Sequence, residues 1–542
     1  MATPISPDTS VYLLKCPLEM DNQHQLNFAT KQAQYNYFAS LPKMEFEKFS
    51  YQRQDGVLRV EEHIDNLLEY NYVMYQNDNY SDKWFYCFIT GMEYVNDNCT
   101  FISIKTDVFQ TWFMDLSFKQ CFVEREHVNN DTFGLHTLEE NIPSGEWIVN
   151  GIQEIGFANP KSCYVLAMFS DMPDSMVSKF TNTRRVYNDI PNGCYMLAME
   201  NDNNYSSINE FVNYFDYYGK GEAIIAMYLI PKEIFGEYFV FSYNLDGYAI
   251  DGFIPNPTSG TKNIASSTIS RNTTLDGYTP KNNKCFTKQF NYLLGTNNAG
   301  ASTTYYYEDF TGTPSFSLNG IIAQGCPSRL TPTNYKRTDA SGGNAYSISG
   351  GAMPVCSWKS DYYLNWQAKN GWTGVQQRGK ALTEQIYTGN NEGNALEYFG
   401  NFVEKTALMV GQELSMISGA VSGSMANAER TPDPVKGDPA SGDFNFSNGK
   451  TNFTFYKMSV RAEVAQIIDK YFSAYGYKVS TWKLPNFTGR RNWNFVKLNQ
   501  VNVTADMPQN DLEEIKKILT NGVTIWHNPS TFLDYSQNND II

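Results

Sequence analysis

Charge and histidine are both scarce in this 542-residue chain: Asp, Glu, Lys and Arg together make up 18% of it, and there are five histidines. The five (His24, His63, His127, His136 and His527) show no H-E-x-x-H or other metal-ligand spacing, so zinc-peptidase chemistry has no support. No G-x-S-x-G elbow and no phosphate-cradling P-loop occur, and the glycines between 295 and 351 lack the strand-to-helix context and the lysine that nucleotide binding needs. No cofactor or metal is expected. Nor does any run approach the ~20 apolar residues that a membrane-spanning helix requires. The opening Met1-Ala2-Thr3-Pro4-Ile5-Ser6-Pro7 has neither a basic start nor an apolar core, so no secretory signal is expected. The nine cysteines are scattered singly, with no C-x-x-C pair, and Cys87 and Cys121 lie inside apolar runs. That pattern reads as reduced, buried small hydrophobes in a protein made in a cytoplasm.

What the chain does have is acidity and aromatic surface. Its net charge is -15 and its pI about 4.9, which disfavours tight DNA binding, because that binding works mainly through Lys and Arg neutralising phosphates. An acidic conduit would let DNA slide past without sticking. Aromatics make up 15% of the residues, with 37 Tyr and 35 Phe, which suits a β-rich, well-packed protein rather than a disordered one. The length exceeds what one core usually organises, so two to four domains are expected.

The segment 1–128 reads as a β-rich half-domain, an antiparallel barrel or sandwich. Trp84 to Ile89 is an unbroken apolar run with the character of a strand buried on both faces. Asn96, Asp97 and Asn98 turn the chain into the alternating Thr100 to Lys105, predicting a hairpin. Phe46 to Tyr51 and Val57 to Val60 are expected to form another hairpin around Asp55-Gly56, and Met114, Leu116 and Phe118 alternate as in a strand. The segment 129–250 reads as α+β, with a helix over Ser206 to Tyr218 presenting Ile208, Phe211, Val212 and Phe215. The segment 251–391 reads as a β domain with long Gly, Ser and Asn loops.

The segment 392–450 differs. Leu396, Phe399, Val403, Ala407, Val410, Leu414, Ile417 and Val421 recur at steps of three and four, a thin apolar seam on a helix, closed by Thr431-Pro432-Asp433-Pro434 and the glycines that follow. The segment 451–542 predicts the order β-α-β-β-α-β of a ferredoxin-like module packing with the N-terminal block. Its first helix would be capped by Ser459, with Val460, Val464, Ile467, Ile468, Tyr471 and Tyr475 inward. Its second would be capped by Asn510, with Leu512, Ile515, Ile518 and Leu519 inward.

Spaced residues in two blocks also carry a family resemblance. Lys83-Trp84-Phe85-Tyr86, Asp107-Val108-x-Gln110-Thr111-Trp112 and Phe122-Val123-x-Arg125-Glu126-His127-Val128 stand in the first block. Tyr475-Gly476-Tyr477, Pro485-Asn486, Asn510-Asp511-Leu512 and Asn521-Gly522-Val523-Thr524-x-Trp526-His527 stand in the second. The chain resembles the distal tail-tube, or knob, proteins of small short-tailed bacteriophages of the picovirus type. None of these motifs is catalytic. The resemblance implies a virion structural protein assembled in the host cytoplasm, a hexameric ring joined to an upstream tail or collar protein, and DNA passing through without specific binding. It also implies that 392–450 holds an apolar loop that plugs the tube and contacts the host membrane transiently. Leu408, Met409, Val410, Leu414, Met416 and Ile417 are its candidate residues. Glu404, Lys405, Gln412 and Glu413 interrupt that loop and weaken the membrane reading more than the plug reading.

The alternative is a tail-associated cell-wall hydrolase or polysaccharide- or receptor-binding protein. Glu61-Glu62, Glu139-Glu140 and Glu513-Glu514 could in principle act as acid and base, but adjacent acidic residues read more simply as solvated faces. Trp358, Tyr362, Tyr363, Trp366 and Trp372 could stack on sugars, though in so aromatic a chain they read first as core. His127 beside Glu126 reads as structural, since neighbouring strand residues point to opposite faces.

Overall fold

The structure, a computed structural model, describes residues 9–49, 56–77, 83–155, 163–180, 186–188, 190–191, 194–201, 206–298, 300–323, 327–337, 346–352 and 453–542. Among the described residues, strands in several sheets predominate and helices are few, as the composition predicts. It divides into two compact units. One is drawn from Met1–Pro143, Pro280–Cys285 and Glu463–Ile542, the other from Ser144–Thr279 and Phe286–Ala462.

The first unit contains a six-stranded antiparallel sheet in the order Lys43–Phe49, Thr9–Leu14, Tyr72–Asn77, Trp84–Asn96, Cys99–Thr106, Val57–Val60. The Trp84 run is a strand because both of its faces are needed. The two-residue period sends Phe85 and Cys87 into one apolar cluster, with Val73, Ile102 and Ile525, and sends Tyr86 and Phe88 into another, with Phe38, Tyr72 and Trp526. The hairpin turns at Asp97 and Asn98, where Asn96 faces Cys99. The expected hairpin around Asp55-Gly56 does not form: Lys43–Phe49 pairs with Thr9–Leu14, and Val57–Val60 with Cys99–Thr106. Alternation marks a strand but not its partner.

Among the described residues, three helices of this unit escaped the sequence pattern, the shortest being Ile64–Leu67. Lys31–Ser40 starts where the Thr30 hydroxyl accepts from the Ala33 amide (3.1 Å), and it buries Gln34 and Phe38. Val108–Trp112 is capped by Asp107 and followed by a 3-10 turn, Phe113–Asp115, so Met114 and Leu116 are not strand residues.

The second sheet of this unit runs His24–Leu26, Val523–Trp526, Trp493–Gln500, Cys121–Glu126, Tyr477–Lys483. Along 453–526 the order is β-α-β-β-α-β but for one added short strand, Val503–Thr504, which pairs with Ser117–Phe118, and it does not close the ferredoxin-like sheet. Phe453–Val460 pairs instead with Trp147–Ile155 and Asn291–Thr296 in the other unit, and Cys121–Glu126 sits between Trp493–Gln500 and Tyr477–Lys483. Ser459 therefore lies in a strand, and the helix is Ala462–Tyr475, burying Ala465, Ile468, Asp469 and Phe472 while Ile467 is 69% exposed. Gln509–Asn521 begins after Pro508 rather than at Asn510 and buries Ile515, Ile518 and Leu519.

The second unit holds three larger sheets. One runs Trp147–Ile155, Phe453–Val460, Asn291–Thr296, Ser302–Tyr305, and another Lys262–Thr268, Ser315–Gly320, Pro327–Pro332, Ile348–Ala352. The third is five-stranded: Ile224–Pro231, Cys163–Phe169, Tyr195–Glu200, Tyr248–Pro255, Tyr238–Leu245. The helix Ser206–Tyr217 covers one of its faces with Phe211, Tyr214 and Phe215, and Ile208 packs beside them. Val212 points to solvent.

Candidate functional site

Leu408, Met409, Val410, Leu414, Met416 and Ile417 lie outside the described residues, as do the aromatics from Trp358 to Trp372. The sequence motifs lie inside them, in the first unit, and there they meet.

Cys121–Glu126 is an interior strand, and its last residues are tied to three distant segments. The Arg125 guanidinium donates to the Gly476 carbonyl (2.7 Å), pairs with Glu140 and lies over the Tyr471 ring at 4.9 Å. Glu140 also takes the Lys284 ammonium and the Lys478 amide (2.9 Å). Both carboxylate and ammonium are removed from water, and burial pulls the Lys284 pKa below its ordinary value even against the pull of Glu140. Removing one partner of such a pair leaves an uncompensated buried charge, so the pair fixes the register of these segments whatever its net contribution.

Glu126 is fully buried. One oxygen takes the Lys483 ammonium and the other the Asn486 amide (2.9 Å), while the Asn486 side chain donates to the His127 carbonyl (2.9 Å). His127 Nδ1 accepts from the Phe495 amide (2.7 Å), which leaves Nε2–H to donate to the Ser473 carbonyl (3.1 Å). Burial, with the nearby Arg490 and Arg125 charges, lowers its pKa to about 3 and keeps the ring neutral. With both nitrogens committed to backbone, His127 is a strut.

The Pro280–Cys285 segment is threaded onto the helix Ala462–Tyr475 by one carboxylate. Asp469 accepts from the Lys281 and Asn282 amides (2.9 and 3.0 Å) and from the Asn282 side chain (2.8 Å). Asp131 accepts from the Tyr477 hydroxyl (2.7 Å) and the Asn283 amide (2.9 Å).

The Asp107 motif is a second such junction. Its carboxylate accepts from the Gln110 amide (3.1 Å) and the Tyr72 hydroxyl (2.9 Å), and burial raises its pKa to about 6. The Gln110 side chain donates to Gln25 and the Leu26 carbonyl and accepts from Gln34. Trp112 donates to Asp511 (2.8 Å), and Trp526 packs on Trp493 at 5.0 Å. Asp469 and Asn282 carried no signal in the sequence, because an isolated polar residue looks the same on a surface as in a buried junction, and Glu140, expected with Glu139 to form a solvated face, is instead buried between Arg125 and Lys284.

The other two carboxylate pairs stand in ordinary contacts. Glu514 pairs with Lys105 (2.6 Å), Glu513 with Lys516 (2.9 Å), and Glu62 accepts from Asn66 and the His63 amide. The Lys105–Glu514 pair lies in a cleft of about 560 Å³ that also touches His24 and Lys517, while Lys83 lines a smaller one of about 310 Å³ with Lys31 and Trp84. Lys83 lies 3.4 Å from the Trp112 ring centre and pairs with Asp115 at 2.5 Å.

Known proteins resemble the chain over nearly all of its length. Residues 255–540, more than half of it, match the family described as Bacillus phage phi29 tail knob protein gp9, C-terminal domain, and residues 8–117 match the caudoviral major tail protein N-terminus. The chain is 22% identical to tail knob protein gp9 of Bacillus phage B103, covering 97% of both chains, and 23% identical to that of Bacillus phage phi29, covering 99% of both. Among solved structures, the tail knob protein gp12 of bacteriophage C1 matches at a TM-score of 0.60 and 14% identity, over 98% of this chain and 100% of that one.

Proposed function

We infer a mechanical task, from the premise that this chain belongs to the tail knob protein family of phi29-type phages. It is a structural component of the virion, built into the tail with other tail proteins. On our reading it is assembled in the host cytoplasm as a hexameric ring at the distal end of a short tail, joined to the upstream tail or collar protein, and DNA leaves through it. The segment holding Leu408, Met409, Val410, Leu414, Met416 and Ile417 closes the passage until ejection and contacts the host membrane as it opens. No catalytic step belongs to this task.

The observation that carries the reading is the extent of the match: relatives named as tail knob proteins align with this chain over 97–99% of its length and of theirs. Two physical features support it. The net charge of -15 disfavours tight binding of DNA, as a conduit for it requires. The motif residues are spent on hydrogen bonds and ion pairs that lock distant segments together, as a load-carrying ring requires. Antibodies raised against the purified chain should label the tail tip of intact virions, and the chain should release no sugar or peptide from host cell wall. Label on the capsid, or cell-wall lysis by the purified chain, would replace this reading with the receptor-binding or hydrolase alternative.

A further inference from the structure

Strand edges are normally protected. Each sheet ends in a strand whose outer amides and carbonyls can pair with another chain, and proteins discourage this with charges, prolines, bulges or short lengths. Among the described residues, the other edge strands of seven residues or more follow that rule. Lys43–Phe49 carries Lys43, Glu45, Glu47 and Lys48; Trp147–Ile155 carries Glu154; Lys262–Thr268 carries Lys262; Tyr477–Lys483 carries Lys478 and Lys483.

The five-stranded sheet of the second unit lacks charges at both ends, although Ile224–Pro231 bulges near Ile225 against Cys163–Phe169 while Tyr238–Leu245 has no such protection. Tyr238–Leu245 and Ile224–Pro231 are each eight residues long, neither contains a charged residue, and the single proline is the last residue of the second. Tyr238–Leu245 pairs with Tyr248–Pro255 without a bulge, and its Tyr238, Phe239, Val240 and Tyr243 are 44, 41, 66 and 38% exposed.

We propose that these two strands are the two halves of a joint between successive copies of this chain, Tyr238–Leu245 of one copy adding to the sheet beside Ile224–Pro231 of the next. The proposal rests on the ring reading above and assigns part of the contact that makes the ring. Three features select a second copy of this chain as the occupant. The halves match in length, ~26 Å each at ~3.3 Å per residue. They match in direction: all four neighbouring pairs in the sheet are antiparallel, so the outer strands of this five-stranded sheet run the same way. Rotation about an axis along the strands then lays one beside the other as a parallel pair, a head-to-tail contact of the kind that closes into a ring. They also match in charge, since neither strand carries one and end-to-end alignment faces Val240 with Ala226, burying no unpaired charge.

The test uses the full chain. Wild-type protein should sediment as a closed oligomer. Val240→Lys should lower the assembled fraction at least tenfold at equal concentration, with an unchanged melting temperature, because position 240 is already in water in the single chain. Independently, p-benzoylphenylalanine at position 240, irradiated in assembled mixtures of ¹⁵N-labelled and unlabelled chains, should give mixed-isotope crosslinks mapping to 224–231. Crosslinks to 238–245 of another copy, crosslinks within one chain only, or full assembly of Val240→Lys would each overturn the joint while leaving the ring standing. A wild-type chain that stays single at all concentrations would overturn the ring reading and the joint with it.

Discussion

At the scale of single residues, neighbours in the sequence have opposite fates, and that makes the account testable. Ile467 and Ile468 are adjacent and chemically identical, yet Ile468 is 1% exposed and Ile467 69%. Ile468→Ala should cost roughly 2–5 kcal/mol, as large-to-small core changes do. Ile467→Ala should stay within ~0.5 kcal/mol. Equal costs in denaturant titrations would mean that the helix is rotated from the position described. His127 gives a second test. Its folded-state pKa is depressed to about 3, so its contribution is fully present above the unfolded value of ~6.5 and is lost as pH falls below that. Wild type should be more stable than His127→Gln at pH 7, and the difference should narrow by roughly 3 kcal/mol on acidification to pH 4, at 1.36 kcal/mol per unit of the ~2.5-unit window. A difference independent of pH would mean that the ring is charged or solvated in the fold. The sequence has no zinc-ligand spacing around His127 and points to a structural role, but it does not tell what the ring holds, because its partners are backbone atoms of Ser473 and Phe495.

At the scale of elements, strands and amphipathic helices were legible where one face carries the signal. The Trp84 run, the Asn96–Asn98 turn and the inward Ile515, Ile518 and Leu519 follow from period and turn chemistry alone. Partners were not legible. Nothing in Lys43–Phe49 says that it lies beside Thr9–Leu14, and nothing in Phe453–Val460 says that it leaves the helix that follows it to pair with Trp147–Ile155. The Lys31–Ser40 helix was missed because it buries only Gln34 and Phe38, too little for an apolar stripe, although Thr30 caps it. One junction between elements depends on a single glycine. Gly476, at φ +64°, ends the helix Ala462–Tyr475, and a β-carbon there would stand 2.1 Å from the Glu126 carbonyl oxygen. Gly476→Ala should therefore destabilise the first unit by several kcal/mol, well beyond the ~1 kcal/mol of an ordinary Gly→Ala strain, because the obstruction is backbone in an interior strand. A melting temperature within a degree of wild type would show that Cys121–Glu126 and the helix end do not approach as described.

At the scale of the whole molecule, the fold class and the family motifs were readable in the sequence, while the buried polar frame that gives those motifs their purpose was not. The plug is the part of the proposal that a deletion reaches. Removing 405–430 should leave ring formation intact, lower resistance to passage and impair infection, because mostly small side chains bury little area each, at ~25 cal/mol per Å², and hold only collectively around an axis. A deleted chain that fails to assemble would show that the segment is ordinary core.

The central claim is that this chain makes a conduit, and electron microscopy of the purified full-length protein addresses it most directly. The account predicts class averages of a six-fold ring with an open or plugged central channel wide enough for duplex DNA. A compact single chain with no channel at any concentration would contradict it.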